Sequence, residues 1–192
     1  MHLRHLPMIL LTLFLAACAH PSLQVNSGSR ADIEIVQRGS AAAIDAGGAL
    51  RLRGEPFEIR SRWPQVHVCI SRSREDLGTI AAGVDTLRDA GSCFNIARSY
   101  AMEGDADYLV LGDGASALND AHGMRHGNRD YWYRVRFLFD ERSQENIPLT
   151  RLNAEYFSAF WIDKSNDRRL DAGEFVLVPL KFGDSGRQGN TP

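Results

Sequence analysis

The sequence predicts an α+β domain rich in β-structure: one mostly antiparallel sheet or sandwich, accompanied by one or two short helices. Three observations carry this expectation. Segments with the alternating apolar pattern of strands outnumber segments of helical period by roughly seven to two. The strongest of them, residues 131–140, is built almost wholly of aromatic and aliphatic residues with Arg134 and Arg136 interspersed, a composition that fits a pleated surface. With 44% hydrophobic and 24% charged residues, the 192-residue chain also has the balance of an ordinary globular protein. Its 22 Lys and Arg against 24 Asp and Glu give a formal charge of −2. No cationic excess exists to release counterions from a polynucleotide, so no nucleic-acid partner is expected.

Along the chain, Ile33, Ile35 and Val36 mark a first strand in 32–38, followed by a Gly/Ala/Ser-rich loop over 39–48. Residues 50–53 and 57–60 alternate apolar with charged around Gly54-Glu55-Pro56, which predicts a hairpin. After Trp63-Pro64, residues 65–71 resume as a strand with Val66, Val68 and Ile70 on one face. Ser73, Glu75 and Asp76 suit the start of a helix, and Leu77, Ile80, Ala81 and Val84 follow at helical spacing. Residues 92–102 suggest a second short helix and 107–111 a short strand. Residues 113–130, rich in Gly, Asn, Asp and His, read as a long polar loop. In 131–140, Tyr131, Tyr133, Val135, Phe137 and Phe139 fall on one face, and Arg134 and Arg136 on the other, solvated one. Segments 154–162 and 174–182 are the last two apolar stretches, and 183–192 reads as a flexible tail.

The N-terminus carries an address. Arg4 supplies a positive start, and Met8 to Ala17 form an apolar run too short to span a bilayer. The run ends in Leu15-Ala16-Ala17-Cys18, which resembles the lipobox of bacterial lipoproteins. The resemblance implies removal of residues 1–17, acylation of Cys18, and membrane attachment through that lipid. Residues 18–31, polar and small, then form a tether to a single periplasmic domain over 32–182. Ala19, where the family places Asp for inner-membrane retention, implies the periplasmic face of the outer membrane. With Cys18 assigned to lipid, Cys69 and Cys93 are the remaining pair, and the oxidising compartment lets them form a disulfide.

The second resemblance lies between the last two apolar segments. Residues 163–174 read Asp-Lys-Ser-Asn-Asp-Arg-Arg-Leu-Asp-Ala-Gly-Glu, similar to the calcium loop of an EF-hand. Ca²⁺ needs a ring of hard oxygens from one short stretch of chain. The resemblance assigns Asp163, Ser165, Asp167, the carbonyl of Arg169, Asp171 and Glu174 to that ring, with Glu174 bidentate. Leu170 stands where the family has an aliphatic residue anchoring the loop to the core. Two departures weaken the expected affinity. Arg168 occupies the position where glycine permits a positive φ, at a cost of roughly 1 kcal/mol. Lys164, Arg168 and Arg169 also offset most of the four carboxylates. The β-branched exit, ending in Pro179, favours a calcium loop between two strands over a helix–loop–helix hand.

These features imply a lipid-anchored calcium-binding module, with calcium as a structural staple and an envelope protein as possible partner, rather than an enzyme. Two alternatives are an inhibitor or immunity protein against an envelope-targeting enzyme, and a cell-envelope hydrolase using carboxylates among Glu103, Asp105, Asp107 and Asp113. His122 and His126 share metal-like spacing, but Gly123 and Gly127 place them in a loop.

Overall fold

The structure is a computed structural model that describes residues 32–88, 91–94, 108–112, 114–118, 124–126 and 130–183. The expectations for residues 1–31, including Cys18, and for 184–192 lie outside the described residues. So do Glu103, Asp105, Asp107, Asp113 and His122.

Among the described residues, thirteen strands form two sheets. One contains β1 (Ile33–Gln37), β2 (Ser40–Ala41), β4 (Phe57–Ser61), β8 (Met124–His126) and β9 (Asp130–Val135), in the antiparallel order β2-β1-β4-β9-β8. The other contains β3 (Leu50–Leu52), β5 (Val66–Ser71), β6 (Tyr108–Leu111), β10 (Phe137–Asp140), β11 (Glu145–Pro148), β12 (Glu155–Trp161) and β13 (Phe175–Phe182). Its order is β11-β10-β6-β5-β12-β13-β3, and β7 (Ala115–Leu118) pairs alongside β5. This second sheet is mixed, with β6 parallel to both β5 and β10, and β3 parallel to β13.

The β-rich expectation holds. The helical part reduces, among the described residues, to single 3-10 turns at Glu75–Leu77, Ser92–Phe94 and Leu149–Arg151. The helix expected from Ser73 does not continue. Its later residues bond elsewhere: Leu170 donates its amide proton to the carbonyl of Val84, and Thr86 donates to that of Arg168. The expected hairpin is also absent. The strand Leu50–Leu52 joins β13 in one sheet, whereas Phe57–Ser61 joins β1 and β9 in the other. The segment 131–140 is not one strand. It breaks at Arg136, and the inward residues change from Tyr133 and Val135 to Leu138 and Asp140 as the chain passes between sheets. Within 113–130, β7 and β8 replace part of the expected loop.

One core is shared by both sheets: Ile33, Ile35, Ile59 and Tyr133 from the first meet Val68, Leu109, Phe160 and Leu180 from the second. A smaller core lies on the opposite side of β5 and β12. There Cys69, Ala159 and Trp161 pack against Leu77, Ile80, Phe94 and Leu170. β5 is therefore buried on both faces, because the segment that follows it folds back over His67, Cys69 and Ser71.

Candidate functional site

β12 and β13 are antiparallel neighbours in register from Glu155↔Lys181 to Trp161↔Phe175, and residues 163–174 are the connection between them. Strands therefore flank the loop on both sides, as the β-branched exit indicated. Leu170 is fully buried in the smaller core, while residues 165–169 are exposed. The apolar side chain thus pins the loop and leaves its polar arc in water.

The carboxylates organise the turn. Asp163 accepts the amide protons of Asp167 at 3.3 Å and Arg168 at 2.8 Å, and the Ser165 hydroxyl at 3.2 Å. Asp167 accepts the Arg169 amide at 2.9 Å. Glu174 is buried and closes the loop from its far end. Its two oxygens accept the amides of Lys164 and Asp171, each at 2.8 Å. Arg168 adopts φ +67°, the left-handed conformation that the calcium-loop pattern requires at this position. An arginine holds it, with the strain that a Cβ brings there. Arg168→Gly is therefore expected to stabilise the metal-free protein by about 1 kcal/mol. That corresponds to a rise of roughly 2–4 °C in thermal midpoint, read by a melt in chelator.

The carbonyl of Arg169 is presented by a short pairing. The amide of Gly83 donates to Leu170 O at 2.7 Å, that of Leu170 to Val84 O at 3.0 Å, and that of Thr86 to Arg168 O at 2.8 Å. Residues 168 and 170 thus face the 83–86 segment. The alternation of an antiparallel pair turns the intervening Arg169 carbonyl the other way. Lys164, which sequence alone counts against a cation, is engaged outside the ring: its ammonium lies 2.7 Å from Asp32 Oδ2, both side chains being largely buried.

The donor chemistry fits a hard cation, since every position assigned to the ring offers oxygen. The side chains are nonetheless spent on backbone amides rather than gathered at one point. Among the described residues, no three His, Cys, Asp or Glu side chains converge as a metal cluster.

Beside the loop, His67 lies flat on Trp161, with ring centroids 3.7 Å apart and planes 7° from parallel. Burial pushes the His67 pKa down to about 4, against the opposing pull of the Asp163 charge. Cys69, two residues on, is bonded to Cys93 with a Cα–Cα distance of 5.5 Å, which fits disulfide geometry. The bond ties down the same segment whose residues 83–86 pair with the loop.

A second feature has no counterpart in the motifs. A polar cleft of about 610 Å³ lies at the carboxyl ends of the parallel strands β5, β6 and β10, beside Ser71, Gly112 and Asp140. Arg72 donates two hydrogen bonds to Asp140, at 3.1 and 2.9 Å. Burial opposes ionisation of Asp140, but the hydrogen bonds from Arg72, Ser143 and the Arg142 amide outweigh it and hold its carboxyl below the ordinary value. Ser71 donates its hydroxyl proton to the carboxylate of Asp76 at the edge of the cleft. Arg72 and Asp140 stand 68 residues apart, and no local pattern announces them.

No family model, no characterised protein and no solved structure matches this chain.

Proposed function

We propose that the protein is a lipid-anchored periplasmic binding module in which residues 163–174 take up one calcium ion as a structural staple. The observation that carries this reading is the loop itself. Six oxygen donors stand in calcium-loop order between two paired strands, and the backbone at Arg168 is left-handed although the residue is not glycine. Asp163, Ser165, Asp167, the Arg169 carbonyl, Asp171 and Glu174 would hold the ion. Bound calcium would supply charge neutralisation for the four carboxylates of residues 163–174. The chain supplies the scaffold: β12 and β13 fix the two ends, Leu170 anchors the middle, and the 83–86 pairing orients the carbonyl.

With Lys164 turned to Asp32 and the arginines exposed, affinity is set in the 10⁻⁴–10⁻³ M class of extracellular modules. Calcium at ten times its dissociation constant then stabilises the fold by about 1.4 kcal/mol. The test is a thermal melt of the protein in chelator and in millimolar calcium. We expect a rise of roughly 3–5 °C, abolished in Glu174→Gln. Equal midpoints in both media would make the loop an ordinary polar turn.

A further inference from the structure

β13 is paired along all of one edge but only part of the other. Ile162 donates its amide to Glu174 O and Phe182 donates to Ala154 O, and this fixes the alternation: residues 174, 176, 178, 180 and 182 address β12. The odd-numbered residues address the opposite side. There Gly183 donates to Leu52 O, and β3 joins only from Leu180 onwards. The N–H and C=O groups of Phe175 and Leu177 therefore face outward with no partner strand among the described residues. Pro179, which has no amide proton to offer, closes this open stretch just where β3 begins.

The stretch lacks the devices that guard other edges of the molecule. β11, at the far end of the same sheet, carries Glu145, Asn146 and Pro148, and β2 ends the other sheet after two residues. Phe175-Val176-Leu177-Val178 has no charge, and Leu177 is 45% exposed. Leu177 and Pro179 share a face with their register partners Ala159 and Phe157. On that face lies a groove of about 450 Å³, walled by Leu77, Ile80, Phe157, Leu177 and Pro179. Arg74, which is exposed, is the one charged residue lining it among the described residues. The carboxylates that follow Arg74 are engaged elsewhere: Glu75 accepts the hydroxyl of Ser73, and Asp76 that of Ser71.

We infer that β13 receives an extended segment of a partner protein as an added strand, with one large apolar side chain of that segment in the groove and a carboxylate on Arg74. The inference gives the proposed binding module its kind of partner and depends on neither calcium nor a lipid anchor. Main-chain hydrogen bonds to Phe175 and Leu177 supply affinity, and the groove and Arg74 select the sequence. Other occupants account for less. A second copy pairing through its own 175–178 stretch has no carboxylate there to offer Arg74. An acyl chain would fill the groove but leave the four backbone groups of the edge unpaired.

The experiment titrates the full chain, in chelator, with an acetylated and amidated hexapeptide that alternates threonine with valine, leucine and aspartate. Backbone amide NMR shifts are the readout. The amides of Phe175 and Leu177 are expected to move and to saturate. Two analogues carry N-methyl groups on the alternate sets of amides. One should lose about tenfold in affinity, the worth of the missing edge bonds, and the other should keep that of the parent. Replacing the aspartate by lysine should weaken binding to the wild type, and Arg74→Glu should reverse that preference. Equal affinities for the two methylated analogues, or no movement of Phe175 and Leu177 at millimolar peptide, overturn the inference. So does movement of the same amides with protein concentration alone, which would assign the edge to a second copy. Because calcium is absent throughout, none of these results bears on the metal reading, which the thermal melt tests separately.

Discussion

Replacing both Cys69 and Cys93 with alanine lowers the unfolding free energy by about 3 kcal/mol, the chain-entropy worth of a disulfide across this loop. Residues 69 and 93 are 24 apart in sequence, and both side chains are fully buried. For a domain of this size the loss corresponds to a fall of roughly 6–12 °C in melting temperature. The damage is not confined to the bond. Cys93 anchors the segment that covers Trp161 and pairs through Gly83, Val84 and Thr86 with the 163–174 loop. The double variant should therefore also weaken the calcium-induced rise in midpoint. Urea titration with and without calcium measures both effects. An unchanged midpoint in the variant would show that the segment holds its place without the bond.

The second large effect is acid sensitivity through His67. Its folded-state pKa of about 4 lies below the ordinary value of 6.5, because the ring is buried against Trp161. Between those values the unfolded chain binds a proton that the folded protein refuses. Stability therefore falls as pH drops from about 6.5 to about 4 and levels off below that, with a total of about 3 kcal/mol. Asp140 adds its loss at lower pH. Its folded carboxyl is held below the ordinary value, so its contribution is complete above the unfolded pKa and disappears as pH falls through the folded one. His67→Phe keeps a flat ring on Trp161 and removes the titrating group. Urea midpoints at pH 7 and pH 4.5 should diverge for the wild type and converge for the variant. Parallel losses in the two proteins would assign the acid sensitivity to other groups.

What could be read from the sequence follows the range over which each feature is encoded. The calcium-loop pattern is legible because its donors fall within twelve consecutive residues, and the strands on either side carry their own apolar pattern. Alternation likewise identifies β1 and β5 as strands, but not their partners. Gly54-Glu55-Pro56 is a sound local turn signal, yet β3 pairs with β13, about 130 residues on, because burial of Leu50 and Leu52 against Leu180 decides the pairing. The two-residue period of 131–140 runs through Arg136 without a mark, so the switch between sheets there is invisible to periodicity. The 73–84 helix failed because tertiary hydrogen bonds to the loop outweighed a propensity already weakened by Gly78 and Gly83. His67 and Cys69 look like the solvent face of a half-buried strand. Only the disulfide-tethered segment above them makes that face interior, and the cleft around Arg72 and Asp140 is likewise assembled by topology.

The most direct measurement is a calcium titration followed residue by residue through backbone amide NMR shifts. Shifts are expected to centre on residues 163–174 and to carry into the paired residues 83–86. They should saturate with a dissociation constant of roughly 10⁻⁴–10⁻³ M and be absent in Glu174→Gln. Shifts scattered over surface carboxylates, or a loop indifferent to millimolar calcium, would contradict the calcium reading.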